Sequence, residues 1–283
     1  MQFRDFKREK EKWITFVESS YYPDYLDAAR REYTPFLERF NELLKKAASS
    51  QELLDLIMSE QGSRNRIQLL RIFRRYVSPD TSVEMLKVKQ KTNKVITEFG
   101  SKFRSIEQVR RHFRVQDDVL ICLLHEYEDR GTKGYEVSAR FFDWFKHSFG
   151  KDGFTIEGPT GAGGDIYLTE VFSDYPRPRP TDFIIKYRGT LAVVGFIRYD
   201  SDRGGAQEDD RTGGYRDVVT EILSYSESKG MSINILFVNE GPGLTLGSMW
   251  EDYSNLEEIG KGHVLVVTLK MLESRLTKEW LLK

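Results

Sequence analysis

Asp182-Phe183-Ile184-Ile185-Lys186-Tyr187-Arg188-Gly189-Thr190-Leu191-Ala192-Val193-Val194-Gly195-Phe196-Ile197-Arg198-Tyr199 is the stretch on which the fold turns. Its two flanks are dense in β-branched and aromatic side chains, which suit a pleated surface, and the Arg188-Gly189 step between them can reverse the chain. The pattern predicts a hairpin of strands over 182–187 and 191–199. Upstream, Tyr135 to Phe149 reads as an aromatic-rich helix. Phe154-Thr155-Ile156-Glu157 and Asp165-Ile166-Tyr167-Leu168-Thr169-Glu170-Val171-Phe172 read as strands on either side of a glycine-rich loop. Downstream, a helix is expected from about Tyr215 to Ser226. A buried strand follows at Ile233-Asn234-Ile235-Leu236-Phe237-Val238, then another at His263-Val264-Leu265-Val266-Val267-Thr268, then an amphipathic helix to Lys283. Helices and strands in this order imply an α/β fold, more narrowly an α+β mixed sheet covered by helices.

The first half follows a different pattern. Apolar residues recur there at three- and four-residue spacing, which predicts helices near 4–18, 24–47 and 50–59. Gly62-Ser63 opens a further helix in which Arg64, Gln68, Arg71 and Arg75 share one stripe and Leu69, Leu70, Phe73 and Val77 the other; Pro79 ends it. Ser105-Ile106-Glu107-Gln108 is a capping-box pattern that starts another basic helix, carrying Arg110, Arg111 and Arg114. A helix-turn-helix is not supported, because the helix after it begins Asp117-Asp118 and carries Glu126 and Glu128, a poor charge for a groove.

The net charge of -1 conceals an asymmetry. Residues 1–115 hold 24 Lys and Arg against 16 Asp and Glu, a net of +8, and the remainder has a net of -9. Within 64–114 the balance is 14 to 4, dense enough to attract a polyanion, although a solvated helical surface would show the same run. Two domains are therefore expected, a basic helical DNA-binding domain over 1–115 and a catalytic domain over 116–283. Arg64, Arg66, Arg71, Arg75 and Arg110 are its candidate phosphate or groove contacts, since guanidinium suits bidentate recognition. The single cysteine, Cys122, lies in the apolar run Val119–Leu124 and forms no internal disulfide, so a reducing cytoplasm fits best. Neither a secretory h-region nor a run of roughly 18 apolar residues is present, which argues against export and membrane insertion.

The most concentrated chemistry is in Arg198-Tyr199-Asp200-Ser201-Asp202-Arg203-Gly204-Gly205-Ala206-Gln207-Glu208-Asp209-Asp210-Arg211-Thr212-Gly213-Gly214-Tyr215-Arg216. Carboxylates crowded at a strand end repel one another unless a cation neutralises them, and hard oxygen donors without His/Cys spacing select magnesium, calcium or manganese over zinc. Asp182, at the start of the preceding hairpin strand, can face the same edge. The plainer alternative is a polar surface loop with local ion pairs.

This arrangement resembles the PD-(D/E)XK nuclease fold, and the run from Arg198 to Arg211 resembles type II restriction endonucleases. The resemblance covers roughly the last 150 residues. It implies a restriction-endonuclease-like core, a homodimer and magnesium-dependent cleavage of double-stranded DNA. A carboxylate at the first hairpin strand and another on the second would hold the ion, with a lysine nearby. Asp182 matches the first. Phe196 stands where the second carboxylate belongs and Arg198 where the lysine does, so the missing ligand is expected from the following helix, at Glu208, Asp209 or Asp210, with Asp200 as its rival. Arg198 can stabilise developing charge, but with a pKa above about 12 it cannot act as a general base. Arg203, Gln207 and Arg211 would position the backbone or read bases.

Other features have plainer readings. Gly158-Pro159-Thr160-Gly161-Ala162-Gly163-Gly164-Asp165 lacks the Lys-Ser/Thr of a P-loop and is expected to be a tight turn, with Asp165 or Glu170 as additional acidic groups. His112, His125, His147 and His263 have no ligand spacing. Pro176-Arg177-Pro178-Arg179-Pro180 is stiff and basic, fitted either to hold a phosphate or to serve as a plain connection. Two further functions remain open: a non-catalytic nucleic-acid-binding protein, and a nucleotide-dependent enzyme built on the glycine-rich loops.

Overall fold

A computed structural model describes the chain apart from residues 88, 160–163 and 202–205, and apart from the side chains of 84, 89–91, 129–131 and 206–213. Contacts divide it into two compact units, Ser19–Asp129 and Met1–Glu18 with Arg130–Lys283. The boundary expected at 115 falls inside the first of these. Charge reports what a surface carries, whereas a compact unit is defined by which side chains share a core.

The helical unit contains α1 (Leu26–Lys46), α2 (Ser50–Ser59), α3 (Ser63–Tyr76), α4 (Lys89–Phe99), α5 (Ile106–His112) and the first turns of α6 (Asp118–Phe149). The N-termini of α2 and α5 are capped: Glu52 N donates to Ser49 Oγ (3.1 Å) while the Glu52 carboxylate accepts from Ala48 N (2.6 Å), and Ser105 Oγ accepts from Gln108 N (3.4 Å). Ala29, Tyr33, Leu37, Phe40 and Leu44 recur at helical spacing on α1 and are buried against Leu53, Ile57, Leu69 and Phe73. The helices expected to start near Asp117 and at Tyr135 are one element of 32 residues, within which the chain passes from one unit to the other. Gly134 costs that helix about 1 kcal/mol against alanine, too little to break it.

In the other unit the strands are β1 (Phe154–Glu157), β2 (Ile166–Tyr167), β3 (Pro180–Thr181), β4 (Phe183–Tyr187), β5 (Thr190–Tyr199), β6 (Asn234–Glu240) and β7 (Val264–Val267). A five-stranded sheet runs β1-β4-β5-β6-β7, antiparallel from β1 to β5 and parallel from β5 to β7; β2 and β3 pair separately. The predicted hairpin forms with φ of 48° at Arg188 and 85° at Gly189, the doubly positive turn that matches strand twist. Parallel pairing requires crossovers, supplied by α7 (Ala206–Ser228) and α8 (Met249–Ile259). The pattern of polar and apolar residues did not announce α8.

Two other expectations are corrected. Residues 165–172 form a two-residue strand and then a helical turn, Leu168–Val171, because Tyr167 N is taken by the Glu170 carboxylate (3.3 Å) and Leu168 N by Arg179 O (2.8 Å). The closing helix is instead a set of single turns, Leu269–Met271, Leu272–Arg275 and Lys278–Leu281. Arg275 is buried there in an ion pair with Glu257 (2.6 Å).

One face of the sheet carries Phe183, which packs against Phe141 and Phe142 of α6 at 5.1 and 5.9 Å. The other carries Phe196 stacked on Phe237 (5.2 Å), beneath Tyr215 of α7 and Tyr253 of α8. The N-terminal segment completes this unit: Phe3 stacks on Trp250 (4.2 Å), Phe3 N donates to Glu257 Oε2 (2.8 Å) and Thr15 N to Glu240 Oε2 (2.6 Å). Among the described residues no helix is long and apolar enough to cross a membrane.

Candidate active site

Asp182 sits in the break between β3 and β4. Its N donates to Gly195 O (3.0 Å) and its Oδ2 accepts from Ile197 N (2.8 Å), so the carboxylate replaces the next rung of the β4–β5 ladder and is fixed against β5. Two residues beyond Ile197's neighbour Arg198 comes Asp200. Arg198 Nε donates to Asp200 Oδ1 (2.6 Å). The Asp200 backbone is pinned from both sides, its N donating to Glu240 O (2.8 Å) and its carbonyl accepting from Gly243 N (2.8 Å). Gly241 makes this approach possible: its φ is +100°, and a Cβ there would lie 2.4 Å from Asp200 O.

Asp200 is only 6% exposed, and its Oδ2 is buried without a hydrogen-bond partner among the described residues. The same is true of both Nδ2 and Oδ1 of Asn239, which is 1% exposed and pairs across the sheet with Arg198. Asn239 and Tyr215 are the site residues that sequence reading missed. A lone asparagine ending an apolar strand carries no motif, and its placement beside Arg198 arises only from the parallel β5–β6 register.

Burial pushes the Asp182 carboxyl above its ordinary range, helped by the charge of Asp165 and opposed by the Ile197 N–H and by Arg198. Burial also works against the Arg198 guanidinium, but the Asp200 carboxylate beside it more than offsets this and raises its pKa. Burial raises the Tyr215 phenol, with Arg198 opposing and Asp182 and Asp200 reinforcing. Arg198 is the shared neighbour of the group: it is paired with Asp200 and acts on both Asp182 and Tyr215.

Among the described residues no group of three or more His, Cys, Asp or Glu side chains lies close enough to hold a metal ion. Asp182 and Asp200 both act on Arg198, and magnesium is commonly held by one or two carboxylates together with waters and substrate phosphates. The unpartnered Asp200 Oδ2 is a hard oxygen donor available for that role. The side chains of Glu208, Asp209 and Asp210, expected to complete the set, and of Gln207 and Arg211 lie outside the described residues, as does Arg203. Phe196, at the position of the missing carboxylate, is buried between Phe237 and Tyr215.

Most of the arginines assigned to DNA in the helical unit are engaged within it. Arg64 pairs with Glu32 and with Glu128 (3.0 Å) and lies over the Phe36 ring. Arg66 Nη1 donates to Glu60 O (2.9 Å). Arg110 caps the end of α1, donating to Leu44 O and Ala47 O (2.6 Å to the latter). Gln68, expected on the outward stripe, is fully buried and accepts from Arg71 Nη1 (3.3 Å). The stripe is thus narrower than its sequence spacing suggests. What remains is a depression lined by Arg71, Arg74, Arg75, Val83, Leu120 and Tyr127, among others. Arg71 lies over the Tyr127 ring and Arg74 Nη1 donates to Tyr127 Oη (3.1 Å), while exposed Arg75 makes no ion pair or hydrogen bond with a described residue. The Arg177 and Arg179 guanidiniums, in the proline-spaced connection, both pair with Glu221 of α7.

No family model, no curated protein and no solved structure matches this chain.

Proposed function

We propose that this chain is a magnesium-dependent endonuclease of the type II restriction class, hydrolysing phosphodiester bonds in double-stranded DNA on a PD-(D/E)XK-like core. The observation that carries the reading is the pair of sequestered carboxylates, Asp182 held by the Ile197 N–H and Asp200 by the Arg198 guanidinium, with one Asp200 oxygen lacking a donor among the described residues. The order α6, β4, β5, α7, β6, β7 also supports the reading, being the one on which that resemblance rests.

Under this reading Asp182 and Asp200 hold the magnesium, with Glu208 or Asp210 completing the set, and the ion supplies charge neutralisation and a more acidic water. Arg198 remains protonated and, oriented by Asp200, stabilises charge developing on the phosphate oxygens. The depression around Arg71, Arg74 and Arg75 takes backbone phosphates, which position DNA without reading sequence. Arg203, Gln207 and Arg211 are assigned to backbone or base contacts, and two copies related by a two-fold axis would cut the two strands of a palindrome.

A second reading is favoured by the Arg198–Asp200 ion pair and by Phe196: a nucleic-acid-binding protein on a nuclease fold that no longer cuts. Incubating purified protein with plasmid, with and without magnesium, separates the two. Discrete fragments that require magnesium support the nuclease, whereas a mobility shift without scission supports the binder and defeats the first reading.

A further inference from the structure

Three buried polar atoms have no hydrogen-bond partner among the described residues: Asp200 Oδ2, Asn239 Oδ1 and Asn239 Nδ2. The β5–β6 register sets Asn239 opposite Arg198, and strand alternation puts Asp200, two residues further on, on that same face. Leaving such a group unsatisfied destabilises the fold, and an apolar side chain of similar shape would avoid the penalty. The middle of β6 shows that alternative at Ile235, Leu236, Phe237 and Val238, all fully buried, while its buried polar Asn234 and Glu240 are hydrogen-bonded. A polar residue retained at a position where it destabilises the fold calls for an explanation outside stability.

Its chemistry supplies one. A carboxylate oxygen is acceptor-only, and a primary amide offers two N–H donors and a carbonyl acceptor without adding charge. It can therefore engage Asp200 Oδ2 through one buried water, without altering the balance of two carboxylates against Arg198. The Phe237 and Tyr215 rings, 5.0 Å apart, wall the same face and restrict what can enter.

We infer that Asn239 is a positioning residue of the candidate active site, its amide orienting the Asp200 carboxylate toward a divalent cation. The inference rests on the proposed magnesium site. Residues that orient ligands in this way typically contribute roughly 10–100-fold to metal affinity.

The test follows thermal unfolding of the full chain against magnesium chloride, with potassium chloride matching ionic strength, for the wild type, Asn239→Leu and Asp182→Asn. The wild type is expected to gain Tm with magnesium. Asn239→Leu is expected to unfold at the same or a higher temperature without magnesium, yet to need about 10–100-fold more magnesium for half of the shift. If it follows the wild-type magnesium curve, the role of Asn239 is overturned while the magnesium site stands. If the wild type gains nothing from magnesium and Asp182→Asn behaves identically, the site and the inference fall together. Should Asn239→Leu fail to fold, Asn239→Ser carries the same comparison, and an unchanged magnesium curve in that variant overturns the proposal.

Discussion

A methyl group on Gly195 would lie 1.9 Å from the Phe183 ring, which places a glycine where the ring closes over β5. Because Phe183 follows Asp182 directly, displacing the ring also displaces the carboxylate. Gly195→Ala is expected to destabilise the fold by at least about 1–3 kcal/mol, the usual range for overpacking, as a lower urea midpoint; an unchanged midpoint would contradict the packing described. At this scale the sequence was readable in part. Asp182 declares itself by its place at the start of a hairpin strand, and Asp200 by the charged run after the second. Gly195 and Asn239 do not, because their importance comes from an aromatic ring and an arginine on neighbouring strands.

The connection Arg177–Arg179 and helix α7 are joined by one carboxylate. Burial works against Glu221, but hydrogen bonds from Arg179 and Arg177 hold its carboxyl down at about 2, against an ordinary 4.5. A folded-state pKa below the unfolded one means that this stabilisation is complete above about 4.5 and disappears as pH falls through about 2. Glu221→Gln should therefore lower stability at pH 7 and make little difference near pH 2; an equal loss at both pH values in denaturant titrations would contradict the assignment.

On α3, Arg75→Ala should weaken DNA binding evenly across sequences and reduce the slope of log affinity against log salt by about 1. Arg110→Ala should instead destabilise the helical unit by on the order of 1–3 kcal/mol, through the carbonyls it caps. Filter binding at several salt concentrations and urea denaturation separate the two roles. The spacing of arginines identified a basic face. It did not identify which guanidiniums carboxylates and carbonyls already occupy, since those partners come from α1, the end of α2 and α6.

Across the whole molecule, the two halves inferred from charge differ from the two units drawn by contacts, chiefly at the N-terminus. The helix expected near 4–18 is instead a 3-10 segment, Phe3–Glu9, and one α-turn, Lys10–Trp13; residues 1–18 pack with the sheet and supply N–H donors to the buried carboxylates of Glu240 and Glu257. Glu240 also accepts from Leu269 N (2.6 Å), and burial raises its pKa despite these donors. Removing residues 1–18 would strip one donor from each carboxylate and expose Trp250. The shortened chain is expected to unfold at markedly lower denaturant concentration, and a midpoint equal to that of the full chain would show that the segment is dispensable. The mixed sheet was legible because hairpin and strand signals are local; α8 and the parallel order of β6 and β7 depend on crossovers that local pattern does not reveal.

Plasmid cleavage by the wild type and Asp182→Ala in magnesium, with DNA affinity measured on the same preparations by mobility shift, tests the proposed site most directly. The account predicts discrete fragments from the wild type and none from the variant at closely similar affinity. Cleavage by Asp182→Ala at the wild-type rate would contradict it.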